Sequence, residues 1–82
     1  TYAHILSPNI RALCEGTLEP TRSMLCYAMG YIGNCAQWDA INPDITFDVL
    51  GAREAAVDRA QAALDSGELY ACLSAIRAYW SN

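Results

Sequence analysis

Residues 23–38 read SMLCYAMGYIGNCAQW, sixteen residues without a charge, and what they form decides the fold of this 82-residue chain. The run contains Asn34 and Gln37 and falls short of the ~20 apolar residues that cross a bilayer, so it predicts a buried helix and not a membrane span. Met24, Leu25, Tyr27, Ala28, Met29, Tyr31, Ile32 and Trp38 make it apolar nearly all round, the pattern of a central helix packed on every side. Pro20 and Thr21 open the segment, and Asn42, Pro43 and Asp44 close it. Proline has no amide to donate and biases its predecessor out of helical geometry.

Three further helices flank this one. The first runs from Tyr2 or Pro8 to Glu15, with Ser7 and Pro8 as cap and first turn, Gly16 as the stop, and Ile10, Leu13 and Cys14 on one apolar face. A third follows the Asn42-Pro43-Asp44 break and is capped by Asp44 or Thr46. Val49, Leu50, Val57, Ala60 and Leu64 form its inner side, and Arg53, Glu54, Asp58, Arg59 and Asp65 lie mostly on the other. Gly67 ends it, and Ser66 can cap a fourth helix with Leu69, Cys72, Leu73, Ile76 and Trp80 as its inner stripe. With fourteen alanines, the best helix former, and no strand pattern, the chain reads as all-α: one compact four-helix domain over residues 1–82.

The cysteines add a constraint. A domain this short buries little more than ~60% of its unfolded surface, and an even cysteine count in a small chain reads as a disulfide framework in an oxidising compartment, secreted or periplasmic. Cys26, Gly30 and Gly33 share a face with almost no side-chain bulk, which would admit the close backbone approach a bridge requires. In an up-down bundle Cys26 and Cys72 sit at matching heights and Cys14 lies at the same end, whereas Cys35 is ~20 Å away. Either the second helix bends at Gly30 and Gly33, or Cys35 is free or intermolecular, or the cysteines are reduced; the bend is the favoured reading, and with it the pairing of Cys14 with Cys35 and Cys26 with Cys72.

Nine acids against five arginines and no lysine give a net charge of -4. The arginines are scattered singly, which argues against nucleic acid, because phosphate binding needs clustered cations. A basic partner fits better, and Asp39, Asp44 and Asp48 are candidate contacts for it, with Tyr79 and Trp80 as candidate aromatic anchors. A chain that opens at Thr1 without methionine fits a processed protein or a trimmed one.

Candidate chemistry is thin. His4 is the only histidine and has no nucleophile motif around it, so no catalytic residue is assigned and the chain is not expected to be an enzyme. Cysteine spacings of 12, 9 and 37 contain no C-x-x-C, so no metal or cofactor is expected. Asn42, Asp44, Thr46 and Asp48 alternate like calcium ligands, but an EF-hand loop would need glycine and glutamate where Phe47 and Arg53 stand. Met24, Met29, Tyr27, Tyr31 and Trp38 could line a pocket for a small hydrophobic ligand, although such residues at helical spacing are usually core.

Leu13 and Cys14, then Cys26 followed by Gly30, Tyr31, Ile32 and Gly33, then Pro43, Asp44, Ile45 and Thr46 before a helix form a pattern that resembles small periplasmic helical proteins. These include type VI secretion immunity proteins and, more remotely, acid-stress chaperones. Such proteins tend to close with a proline and a cysteine after the last helix, where this chain has Trp80, Ser81 and Asn82. The resemblance implies a non-catalytic extracytoplasmic binder of the inhibitor or immunity type, monomeric or homodimeric. A secreted signal, similar to the ciliate pheromones in acidity and cysteine dependence, or a hydrophobic-ligand carrier is the alternative.

Overall fold

The computed structural model describes residues 8–81, so the alternative start at Tyr2, the Ser7 cap and His4 lie outside the described residues. Four helices follow in order: α1 (Pro8–Glu15), α2 (Arg22–Ile41), α3 (Phe47–Asp65) and α4 (Leu69–Trp80). There is no strand among the described residues. The all-α, compact four-helix reading holds.

Each boundary has a local cause. Gly16, at φ +86°, turns the chain left-handed after α1, and Thr17 donates both its amide and its hydroxyl to the free carbonyl of Ala12. Thr21 caps α2 by accepting the Met24 amide. Of the two candidate caps for α3, Thr46 takes the role, accepting the Val49 amide, while Asp44 gives its own amide to the Asn42 side chain in the preceding turn. Gly67, at φ +79°, closes α3, and the Glu68 amide reaches back to Ala63. Ser66 does not cap α4. Its hydroxyl donates to the Ala62 and Ala63 carbonyls of α3, and α4 starts at Glu68 with no side-chain cap bond.

The helices surround α4, not α2. α4 packs along α3, touches α2 beside it and receives α1 on another side. Cys72, Leu73, Ala75, Ile76 and Tyr79 are buried along it. Tyr79 therefore takes the core place that the sequence pattern assigned to Trp80, which is half-buried. Ala56 and Ala60 of α3 and Ala75 of α4 are buried in the core, and such small side chains let helix backbones approach closely. α2 and α3 run antiparallel: the Arg22 guanidinium donates to the Leu64 carbonyl at one end, and Asp39 meets Arg53 towards the other.

Two expectations fail together. α2 is a single unbroken helix of 20 residues through Gly30 and Gly33, neither of which has a positive φ, so the chain does not break there. All four cysteines are free thiols, so the pairing of Cys14 with Cys35 and Cys26 with Cys72 is absent too. In the unbroken α2 Cys35 stands nine residues beyond Cys26, ~13 Å along the axis, and the glycine face meets nothing within 4 Å of where a Cβ would stand. Besides burial, the nearness of Cys26 helps raise the Cys72 thiol, without a bond between them. Burial pushes the thiols of Cys14, Cys35 and Cys72 above their ordinary value of 9.0, partly offset by Arg77 at Cys14 and Arg53 at Cys35. Cys26 alone is exposed. A thiol reagent should therefore label Cys26 first and the fully buried Cys72 only on unfolding; four unreactive sulfurs in the native and unreduced unfolded chain would contradict the free-thiol state.

Candidate functional site

Helix α2 carries two stripes, each with alternating three- and four-residue spacing. Leu25, Ala28, Ile32, Cys35 and Asp39 form the inner one, and Tyr27, Tyr31, Asn34, Trp38 and Ile41 form a second, roughly a third of a turn round the helix. Because α2 is apolar nearly all round, hydrophobicity alone does not say which stripe faces the core. A polar cluster does.

Asp39 is only 2% exposed, and one carboxylate oxygen, Oδ2, accepts both the Arg53 guanidinium at 3.2 Å and the Tyr79 hydroxyl at 2.7 Å. The guanidinium also lies over the Tyr79 ring, 5.7 Å from its centre. Three helices are tied at one point. The tyrosine contact has the length of a hydrogen bond to an ionised acceptor, and burying either charge without its partner would be costly. Burial pushes the Tyr79 phenol far above its ordinary 10.0, with the Asp39 hydrogen bond and charge adding to the rise. Sealed from solvent, the cluster cannot touch a substrate, so its role is to hold α2 at one rotation about its axis. With Asp39 turned inward, Trp38 is carried ~100° and Ile41 ~200° away from it, towards solvent.

The outward side of α2 is accordingly apolar and exposed. Tyr27 is 53% exposed, Trp38 66% and Ile41 71%, and Phe47 at the first turn of α3 is 92% exposed. Large side chains this open at the α2–α3 corner do no work in the core; contiguous apolar surface of this kind marks interaction sites. Asp44 and Asp48, both exposed, flank Phe47 in the chain.

The partner-contact candidates thus divide. Asp44 and Asp48 remain on the surface. Asp39 and Tyr79 do not, since they bond to each other inside, and they are corrected from surface contacts to core residues. Trp80 is half-buried, packed edge-on to Tyr79 at 4.9 Å and tilted against Tyr31 at 6.2 Å. Arg53, placed on the outer side of α3 by the sequence pattern, is 7% exposed and lies in the core. Seven-residue spacing was the available signal: Asp39 follows Leu25 and Ile32, and Arg53 precedes Ala60, each in core phase.

The suggested ligand pocket does not assemble. Met29 is core, Met24 and Tyr31 are half-buried, and Tyr27 and Trp38 point out. A groove of about 720 Å³ between α3 and α4 is open to solvent and walled mainly by alanine and serine, with Arg59 and Glu68 among its lining. Among the described residues no group of three or more His, Cys, Asp or Glu could hold a metal ion, and no helix is long and apolar enough to cross a membrane. Compared with known proteins, the chain matches no family model, no curated protein and no solved structure. The resemblance to immunity proteins stands on the residues quoted for it alone.

Proposed function

We propose that this chain is a non-catalytic protein-binding domain of the inhibitor or immunity type, and that it docks through the outward face of α2 and the α2–α3 corner. The observation that carries the reading is the exposure of Trp38, Ile41 and Phe47, with Tyr27 further along the same face of α2, while Tyr79 and most of Trp80 and Tyr31 are drawn towards the core. Tryptophan and tyrosine supply most of the binding energy at protein interfaces, where a few central aromatics dominate. Asp44 and Asp48 beside Phe47 add an acidic rim suited to a basic neighbour. An extracytoplasmic location, secreted or periplasmic, is part of the same proposal and rests on the resemblance; no bridge in the structure adds to it.

The test is a photo-reactive amino acid placed at position 38, at position 47 and, as a control, at exposed Asp58 of α3. Protein adducts of defined mass at 38 and 47 but not at 58, in the native source, are the expected result. Adducts absent from 38 and 47, or equally frequent at 58, would count against this surface as the docking site.

A further inference from the structure

The geometry points to a second copy of this chain as the occupant of that surface, its α2 laid antiparallel on the first across a two-fold axis between residues 32 and 33. The inference rests on the protein-binding reading of the α2 face and specifies its partner.

Spacing supplies the first argument. Tyr27, Tyr31, Asn34 and Trp38 stand four, three and four apart, the repeat of a two-helix seam. That spacing reads the same in both directions. A two-fold axis therefore sets Tyr27 against Trp38 of the second copy and Tyr31 against Asn34 of the second copy, mapping the seam onto itself, as an isologous interface requires. A lone asparagine in such a seam selects register.

Charge supplies the second. Between Arg22 and the end of α2 the only charged residue is Asp39, which is turned inward and paired with Arg53. On a chain of net charge -4, this is a face on which two copies meet without opposing carboxylates. The antiparallel arrangement also brings the corner holding Asp44 and Asp48 to the opposite end of the other α2, where Arg22 and the positive end of the helix dipole lie. A parallel arrangement would set the two acidic corners against each other.

Area supplies the third. Tyr27, Trp38, Ile41 and Phe47 expose roughly 500 Å² per copy, taking ~150–250 Å² for each large aromatic. Two copies would bury roughly 1,000 Å², the level a specific interface has to reach.

The experiment is sedimentation equilibrium of the purified chain under reducing conditions, so that exposed Cys26 forms no bridge, across micromolar to millimolar concentrations. The expected result is a monomer–dimer equilibrium reaching twice 8.9 kDa. Tyr27→Asp and Trp38→Arg should each weaken it at least about 30-fold, as loss of a central aromatic does. Their mixture should recover dimer, because the carboxylate introduced at position 27 of one copy then faces the guanidinium introduced at position 38 of the other. Circular dichroism melting confirms that both variants remain folded, since both positions face out. A mixture that stays monomeric overturns the antiparallel register. A wild-type chain that stays monomeric throughout overturns the second copy as occupant; adducts from position 38 to a different protein would then leave the protein-binding reading standing, and their absence would remove both.

Discussion

Replacing Asp39 by alanine is expected to cost about 3–5 kcal/mol of folding stability, the penalty for leaving the buried Arg53 guanidinium without its carboxylate. At ~0.05–0.15 kcal/mol per residue a chain of 82 residues has roughly 4–12 kcal/mol in total, so the single variant stands near the edge of unfolding. No disulfide constrains its unfolded state. Arg53→Met alone should be comparably harmful, because it strands Asp39 in the core. The double variant Asp39→Leu with Arg53→Met should recover part of the loss, since an apolar pair of similar volume avoids desolvating two charges, and should stay below the parent because the buried Tyr79 hydroxyl then has no acceptor. Urea titration of the parent, Asp39→Leu, Arg53→Met and the double variant gives the coupling energy directly. Additive losses in the double variant would mean that the two residues act independently, contrary to their 3.2 Å contact.

Tyr79 is the second large effect. Tyr79→Ala removes a fully buried aromatic together with its hydrogen bond and should cost about 3–5 kcal/mol, whereas Tyr79→Phe keeps the packing and should cost about 1.5–3 kcal/mol, the worth of a hydrogen bond to a charged group. The phenylalanine variant also has a pH signature. The folded-state phenol is raised above its ordinary 10.0, so its contribution is complete below that value. It is lost as pH climbs further, because the unfolded tyrosine ionises while the buried one keeps its proton. The buried thiols fade from about pH 9 in both proteins and cancel in the comparison. The gap between parent and Tyr79→Phe should therefore narrow in denaturant titrations above about pH 10. A gap constant with pH would show that burial and Asp39 do not hold the hydroxyl in its protonated form.

Most of the architecture was legible in the chain because its punctuation is strong. Gly16, Thr21, Thr46 and Gly67 each do in the structure what their chemistry favours, and four helices follow. What was not legible is the rotation of α2. An all-round apolar helix offers no hydrophobic reason to prefer one face, and the deciding residue is an aspartate that pattern reading sends to the surface. Asp39, Arg53 and Tyr79 sit on three different helices, 14 and 26 residues apart along the chain, so their meeting is a property of the packed fold. Once Asp39 is inside, Trp38 and Ile41 are outside. The same step explains why the helix taken for the centre of the bundle is one of its walls.

That inversion of α2 is the claim on which the proposed binding surface depends, and the stability of Trp38→Ser measures it most directly. An outward Trp38 predicts that, at a concentration dilute enough to keep the chain monomeric, urea unfolding of the variant falls within about 0.5 kcal/mol of the parent, the usual range for a surface substitution. A loss of about 3–5 kcal/mol, the cost of deleting a core tryptophan, would place the residue in the core and contradict the account.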